Sequence, residues 1–202
     1  MVSKSKILIV SILIISVTLV WLIAPLLSNL LTTNNDPFSE LWLLGPERTA
    51  ENYPHNITSN QNYVIYLGVR NQLHLVTEYS LRVKLCNTVN QLPNSSTAEP
   101  SSLPVIEEFK FILSDEDDWG TYLAFALDFE LIQLNVTRIE NVRINDITIP
   151  VNYDSNWDSN RNGFYSILLF ELWTYNVTSN TFAYTNQNVY LHLNMTSSNF
   201  VV

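Results

Sequence analysis

From residue 38 onward, apolar and polar residues alternate with the two-residue period of β-strands, in which successive side chains point to opposite faces. Residues 78–86 alternate most regularly and predict a strand with one solvated face, whereas residues 63–70 are apolar on both faces and predict a central strand. No segment of useful length in this part repeats apolar residues at helical spacing. The other predicted strands are residues 40–44, 107–113, 121–131, 142–149, 164–175 and 189–195.

Strands separated by polar turns predict an all-β fold. Parallel α/β folds need crossover helices, which the pattern does not contain. The economical architecture is a two-sheet β-sandwich, although spacing alone also allows a closed barrel. Residues 87–104 contain three prolines and few apolar residues. We therefore expect this long segment to be an exposed excursion that is either functional or loosely ordered.

The first thirty residues follow a different pattern. Residues 7–27 carry no charge and consist mostly of Ile, Leu and Val. As a helix this stretch is about 31 Å long, which is enough to cross a bilayer. The alternative is a cleaved secretory signal, but its apolar region is typically about 7–15 residues and ends in a small-residue cleavage site that is not evident here. The expected organisation is a tail of residues 1–6, a transmembrane helix of residues 7–27, a linker of residues 28–37 and a domain of residues 38–202.

Charged residues on either side of the apolar stretch predict its orientation. Lys4 and Lys6 precede it, while Asp36 and Glu40 follow it and the next basic residue is Arg48. Because positive charge is retained on the cytoplasmic side, we expect a cytoplasmic N-terminus and an extracellular domain at the cell membrane. Removing the two lysines from the formal charge of −9 leaves −11 for the rest of the chain. A domain with this much negative charge is not expected to bind nucleic acid or to dock electrostatically on anionic lipid.

An outward domain is open to glycosylation, and it contains five Asn-x-Ser/Thr sequons. Chance alone would give about four in a chain so rich in Asn, Ser and Thr, so the count proves little. The predicted topology nevertheless favours glycan on some of them, and the best candidate is Asn94 in the long proline-containing segment. The five asparagines are Asn56, Asn94, Asn135, Asn176 and Asn194.

Motifs for catalysis are missing from the sequence. The chain has no GxSxG elbow and no HExxH motif, and its three histidines are His55, His74 and His192. We therefore expect that the protein is not an enzyme. The acidic run at residues 115–118 is expected to form a solvated turn. Cys86 is the single cysteine and cannot form a disulfide within the chain, so an inert thiol at a strand end is expected.

One short segment resembles half of a calcium loop. Asp158, Asn160, Asn162 and Gly163 follow the D-x-N-x-N-G pattern, in which the first, third and fifth side chains bind the ion. The twelfth position is Leu169 where such loops carry an acid, so any site would be weak. The favoured alternative is an Asn-Gly turn before the strand at residue 164, with Gly163 at positive φ. No other cofactor is expected.

Four tryptophans after residue 38 allow two interpretations. Aromatic rings can stack on sugars, or they can fill the inner faces of a sandwich, which is the more common location. Trp157 lies among Asp, Ser and Asn without a strand period, so we expect it to be exposed. The other three are Trp42, Trp119 and Trp173.

Several spaced motifs resemble domain-of-unknown-function family 1616, which is found mainly in archaeal membrane proteins. They are FSELWLLGPERTAENYPHNIT at residues 38–58, NYVIYLGVRN at residues 62–71 and EYSLRVKL at residues 78–85. The segment GFYSILLFELWTYNVTSNTFAY at residues 163–184 is similar to its archaeal members with a single anchor. The resemblance implies an immunoglobulin-like sandwich outside the membrane. The family has no assigned activity, so no catalytic residue carries over, and many relatives have several membrane spans where this chain has one.

These patterns together predict a membrane-anchored structural or interaction module of the cell envelope. Its expected partners are the membrane, through the N-terminal helix, and an envelope protein or a glycan, with no nucleic acid. One alternative is an accessory subunit of a membrane complex, although the apolar stretch lacks a clear small-xxx-small seam for helix packing. The other alternative is a carbohydrate-binding module, which needs a site lined by polar and aromatic groups.

Overall fold

The computed structural model describes residues 16–24 and 36–196. The chain divides into two compact units, Met1–Pro37 and Phe38–Val202. In the first unit, residues 16–24 form an α-helix. Within the described residues, no helix is both long enough and apolar enough to cross a membrane. Residues 7–15 and 25–27 of the predicted transmembrane helix lie outside the described ranges, as do residues 1–6, 28–35 and 197–202.

The described part of the second unit forms ten β-strands and one short 3-10 helix, Val89–Gln91. The predicted all-β class is therefore confirmed. In chain order the strands are β1 Phe38–Leu44, β2 Asn56–Thr58, β3 Tyr63–Gln72, β4 Thr77–Cys86, β5 Glu107–Leu113, β6 Asp118–Gln133, β7 Val136–Ile144, β8 Ile147–Asp158, β9 Gly163–Asn176 and β10 Thr181–Thr196.

The strands form one curled sheet with two halves. The first half has the order β1-β3-β6-β7-β8 and the second β5-β4-β9-β10-β2. The halves join where the last residues of β8 pair with the start of β9, at Trp157–Phe164 and Asp158–Gly163. The order β5-β4-β9-β10 matches strands C′-C-F-G of an immunoglobulin domain. In the first half, β6 lies beside β3, and β7 lies on the far side of β6. The corresponding sheet of an immunoglobulin domain has the order A-B-E-D, so the strand beside B is E, which comes after D in the chain.

The inner faces of the two halves pack into one hydrophobic core. Alternate residues of each strand point inward, as the two-residue period requires. Each large side chain that is fully buried contributes about 1.5–3 kcal/mol through the hydrophobic effect. The buried side chains include Ile65, Leu67, Val69, Leu123, Phe125 and Leu127 from the first half and Leu81, Val83, Leu168, Phe170, Leu172, Leu191 and Leu193 from the second.

One strand prediction needs correction. Residues 142–149 do not form one strand, because the chain turns at Asn145 and Asp146 and pairs Ile144 with Ile147 across the hairpin. Asn145 has a φ of 51°, in the left-handed region that asparagine tolerates and two-residue hairpins require. The pattern also missed the rest of β8, and the three-residue strand β2 is too short to show a period.

The prediction of one solvated face for β4 is also wrong. The outward side chain of Lys84 is 3% exposed, and Cys86 on the same face is fully buried. Residues 87–104 are largely exposed, as predicted, but part of the segment also lies against this face. Leu92 and Leu103 of that segment pack against a small cluster formed by Cys86, Ile167 and Leu169.

A buried ion pair fastens this covering segment to the sheet. Lys84 Nζ lies 2.8 Å from Glu171 Oε2, and it donates a 2.6 Å hydrogen bond to the carbonyl oxygen of Ser101. The backbone N–H of Ser101 donates to Glu171 Oε1 at 2.6 Å. Trp173 Nε1 donates to Glu171 Oε2 at 3.2 Å. Both charges and the Ser101 backbone are thus paired, which a buried ion pair needs in order to be tolerated.

Cys86 lies next to this ion pair. Burial, with the negative charge of Glu171 adding to it, raises the pKa of its thiol to about 12. The thiol is therefore protonated at neutral pH, and only the thiolate is nucleophilic. This environment agrees with the inert thiol expected from the sequence.

Replacing Lys84 by methionine would leave the Glu171 carboxylate buried without its counter-ion. We expect Lys84→Met to lower the free energy of unfolding by about 3–5 kcal/mol. Denaturant unfolding of the full chain in detergent, followed by tryptophan fluorescence, measures the change. The matched control is Lys110→Met, because Lys110 is half exposed and pairs with Glu108; its expected loss is below about 1 kcal/mol. Equal losses for the two variants would contradict the role given to the buried pair.

Candidate functional site

The outer face of the first half carries aromatic side chains in a regular arrangement. The strand register aligns one residue from each of β1, β3 and β6 in a row across the sheet. One row is Trp42, Gly68 and Gly120, and the next contains Tyr66 and Tyr122. We call the group of Trp42, Tyr66, Tyr122 and Arg48 the aromatic platform. Its rings lie on the face opposite to the core, so they are not required to fill it.

Two glycines allow these rings to lie against the sheet. A Cβ atom on Gly68 would be 2.1 Å from Cε2 of Trp42, and 2.2 Å and 2.3 Å from Nε1 and Cζ2. Because the fused-ring atom Cε2 is the nearest and the three distances are nearly equal, the added atom would meet the face of the indole. A Cβ atom on Gly120 would be 2.0 Å from the hydroxyl oxygen of Tyr66. Glycine in a strand marks such close approaches.

Arg48 lies over the two tyrosines. Its Cζ atom is 4.5 Å from the Tyr66 ring centroid and 5.1 Å from that of Tyr122, which is cation–π distance. Arg48 Nε also donates to the Tyr122 hydroxyl at 3.0 Å. The residue lies in the turn after β1 with a φ of 60°, and its backbone N–H donates to Gly45 O at 3.0 Å.

The charge of Arg48 is not neutralised within the described residues. Eight lysines and arginines lie between residues 36 and 196. Six of them have a side-chain nitrogen within 4.0 Å of a carboxylate oxygen. The other two are Arg48 and Arg143, and Arg143 donates to Asn60 O and Asn62 Oδ1 instead. Arg48 is exposed and hydrogen bonds only through Nε to a hydroxyl. It can therefore bind an external acceptor.

A second candidate is a cleft between the neighbouring edges of β1 and β10. It has a volume of about 510 Å³ and is lined by Leu43 of β1, Tyr53 and His55 of the following loop, and Tyr190 and His192 of β10, among others. Burial, together with the nearby Arg161 and His55, lowers the pKa of His192. Its ring is therefore neutral at pH 7, and the cleft offers apolar contact more than charge.

The loop that resembles a calcium site connects β8 to β9. Asp158 Oδ1 accepts hydrogen bonds from the backbone N–H groups of Asn160 and Arg161, and Oδ2 accepts from Arg161 Nε at 2.7 Å. Hydrogen bonds from Arg161, and then from Asn160, hold the pKa of Asp158 below its usual range. Calcium binding stays a prediction, and it would require this ion pair to open. Within the described residues, no group of three or more His, Cys, Asp or Glu is placed to hold a metal ion.

The turn itself differs from the expected geometry at one residue. Asn162, with a φ of 55°, adopts the left-handed conformation, and Gly163 does not. Gly163 is needed for a different reason, because a Cβ atom there would be 2.6 Å from Asn194 Oδ1.

The five sequons fall into two groups. Asn94, Asn135 and Asn176 are exposed in connections between strands or at a strand end. Asn56 and Asn194 lie on the paired strands β2 and β10, where Asn194 Nδ2 donates to Asn56 Oδ1 at 2.9 Å. Glycosylation stays a prediction at all five, and Asn56, which is also exposed, differs in that its side chain is engaged by Asn194.

The remaining sequence candidates have scaffold roles. In the acidic run, Asp115 lies 3.3 Å from His74 and Asp118 lies 3.6 Å from Arg70. Trp119 stacks on Phe111 with centroids 4.1 Å apart. Trp157, expected to be exposed, is half-buried at the end of β8 and packs edge-on against Phe164 at 5.0 Å, because β8 extends much farther than its polar sequence indicates.

Sequence reasoning named Trp42 but missed Tyr66, Tyr122 and Arg48. The available signal was the pair of glycines, with Gly68 inside the predicted strand 63–70 and Gly120 directly before the predicted strand 121–131. Such glycines mark bulges or close approaches, but the pattern alone does not show which side chain approaches.

Comparison with known proteins identifies the family. The family model described as domain of unknown function (DUF1616) matches residues 32–160. The chain belongs to this family. No curated protein is significantly similar to it in sequence.

Solved structures resemble the fold only distantly. A Listeria innocua beta-glucosidase in complex with gluconolactone is 6% identical, with a TM-score of 0.37; the match covers 79% of this chain and 16% of the glucosidase. The CARDB domain of a Pyrococcus furiosus protein in complex with di-metal ions is 7% identical, with a TM-score of 0.37, and the match covers 80% of this chain and 90% of that domain. The beta-D-glucoside glucohydrolase of Trichoderma reesei is 9% identical, with a TM-score of 0.31 over 81% of this chain and 19% of that enzyme. Likeness at this level carries no argument about function.

The glycine beneath Trp42 provides a test of the platform. Gly68→Ala places a methyl group against the indole, so we expect a loss of about 1–3 kcal/mol and a changed Trp42 contribution to fluorescence. In a Trp42→Ala background the same change should cost little, because the ring it meets is absent. A double-mutant cycle on unfolding free energies measures the coupling. Additive effects would show that the ring does not lie on Gly68.

Proposed function

We propose that this protein is a non-catalytic binding module of the cell envelope, built on an immunoglobulin-like β-sandwich and held at the outer surface of the membrane by its N-terminal apolar segment. The observation that carries the proposal is the aromatic platform. Its rings lie outside the core, and an arginine without a carboxylate partner among the described residues lies over two of them. Aromatic residues and arginine are the side chains most enriched at binding surfaces.

Membrane attachment is supported by the sequence. The uncharged residues 7–27 are long enough to cross a bilayer, and Lys4 and Lys6 precede them. The same orientation would expose Asn94, Asn135 and Asn176 to the glycosylation machinery.

The orientation has a direct test. Protease added to intact cells of the native host should remove the domain of residues 38–202, while a tag fused before Lys4 stays protected until the cells are permeabilised. Loss of the tag from intact cells together with survival of the domain would establish the opposite orientation. A cytoplasmic protein with a similar tag serves as the control for cell integrity.

Contact through the platform has a second test. We would place a photoreactive benzophenone amino acid at Tyr122 in the full-length protein and irradiate cells of the native host. Tyr190 is the matched control, because its exposed fraction is 44% against 46% for Tyr122 and it lines the rival cleft. We expect a crosslinked adduct from Tyr122 and none from Tyr190. Adducts from Tyr190 alone would assign binding to the cleft, and equal or absent labelling at both positions would contradict a platform-specific role.

A further inference from the structure

We propose that the aromatic platform binds a saccharide that carries a carboxylate, with the sugar ring stacked on Trp42 and the carboxylate bound by Arg48. This inference rests on the proposed function, because it names the ligand class for the same surface. Three features of the platform carry it: the direction of the indole face, the unneutralised arginine, and the polar groups on the opposite side of Trp42.

The indole of Trp42 is half-buried, with one face on the sheet and the other turned away from it. One face lies against the backbone of Gly68, since an added Cβ atom would meet Cε2, Nε1 and Cζ2 at 2.1–2.3 Å. The opposite face therefore points away from the sheet. The negative π-face of an aromatic ring attracts the polarised C–H groups on one side of a pyranose, and this contact also removes apolar area from water.

Arg48 supplies the charge. Its Nε atom is occupied by the Tyr122 hydroxyl, which leaves the terminal nitrogens available for a planar acceptor with two oxygens. A carboxylate has that geometry, and arginine binds it through two parallel hydrogen bonds. Stacking on Tyr66 and Tyr122 holds the guanidinium in place before a ligand arrives, so less conformational entropy is lost on binding.

Spacing and flanking groups favour a sugar over a simple carboxylic acid. The rows of Trp42 and Tyr66 are two residues apart along the strands, or about 7 Å. This distance allows a sugar ring to stack on Trp42 while its carboxylate reaches Arg48 above the next row. The row on the other side of Trp42 contains Glu40, Arg70 and Asp118. Gln72 Nε2 donates to Glu40 Oε1 at 3.4 Å, and Arg70 Nε lies 3.6 Å from Asp118 Oδ1. This row therefore offers planar hydrogen-bond donors and acceptors, which are suited to the hydroxyl groups of a sugar.

The overall charge limits the kind of acidic saccharide. The chain without its two N-terminal lysines has a formal charge of −11, and this charge repels a polyanion at long range. The ligand class is therefore a mainly neutral glycan with an isolated uronate, because a single negative charge is repelled least.

Saturation-transfer NMR on the full-length protein in detergent tests the inference, since it detects weak binding to large particles. The probes are methyl β-glucuronide and, as the neutral control, methyl β-glucoside. We expect the glucuronide to bind about tenfold more tightly, with the strongest transfer to protons on one face of the ring. Arg48→Gln should reduce glucuronide affinity about tenfold and leave glucoside binding unchanged, while Trp42→Ala should abolish transfer to both sugars.

Arg143→Gln is the matched control, because Arg143 is the other cation without a carboxylate partner among the described residues, and it should leave binding unchanged. Melting temperatures show whether each variant folds. If Trp42→Ala unfolds the chain, Trp42→Phe replaces it, and this variant should retain binding because it keeps an aromatic face. Equal binding of the two sugars, an Arg48→Gln variant with unchanged affinity, or no transfer to the wild-type protein would overturn the inference. Photocrosslinking from Tyr122 without sugar binding would leave the proposed function in place and refute only the ligand class.

Discussion

The buried ion pair of Lys84 and Glu171 determines how the outer side of the second half is built. Charges on adjacent central strands would ordinarily require one face of the sheet to remain in water. Here the two charges neutralise each other at 2.8 Å, and Ser101 fills their remaining hydrogen-bonding positions with its own backbone. Ser101 can therefore lie on the sheet with both its N–H and its carbonyl group paired. Removing either charge would leave the other buried, so the segment, β4 and β9 form one cooperative unit.

The two outer faces of the protein consequently have different characters. The second half covers part of its outward face with its own chain, where Leu92 and Leu103 add apolar contact around Cys86. The first half places large rings on its outward face, with Arg48 over two of them. The difference arises from small residues: Gly68 and Gly120 let rings lie against the strands, where any other residue would lift them away.

The elements that the sequence predicted well are those whose signal is local. The strand period identified residues 63–70 and 107–113 because alternation depends only on neighbouring positions. The hairpin at Asn145 was missed because isoleucines on both sides continue the apolar pattern through the turn. The buried role of Lys84 depends on Glu171, which is distant in the chain and becomes its neighbour only when β4 pairs with β9. The rule that gives positive φ to glycine failed at Gly163, because Asn162 also tolerates that conformation and adopted it.

Strand register links the aromatic platform to the hydrophobic core. Trp42 reaches Gly68, and Gly68 aligns with Gly120, only when β1, β3 and β6 pair as they do here. A slip of one residue would turn Trp42 toward the interior and bring Leu41 and Leu43 to the surface, so the platform and the core would be lost together. A molecule that displays Trp42 outward is therefore one whose sheet has assembled correctly. Any partner that recognises this surface thereby discriminates between native and misfolded copies of the protein, without a separate device for that purpose.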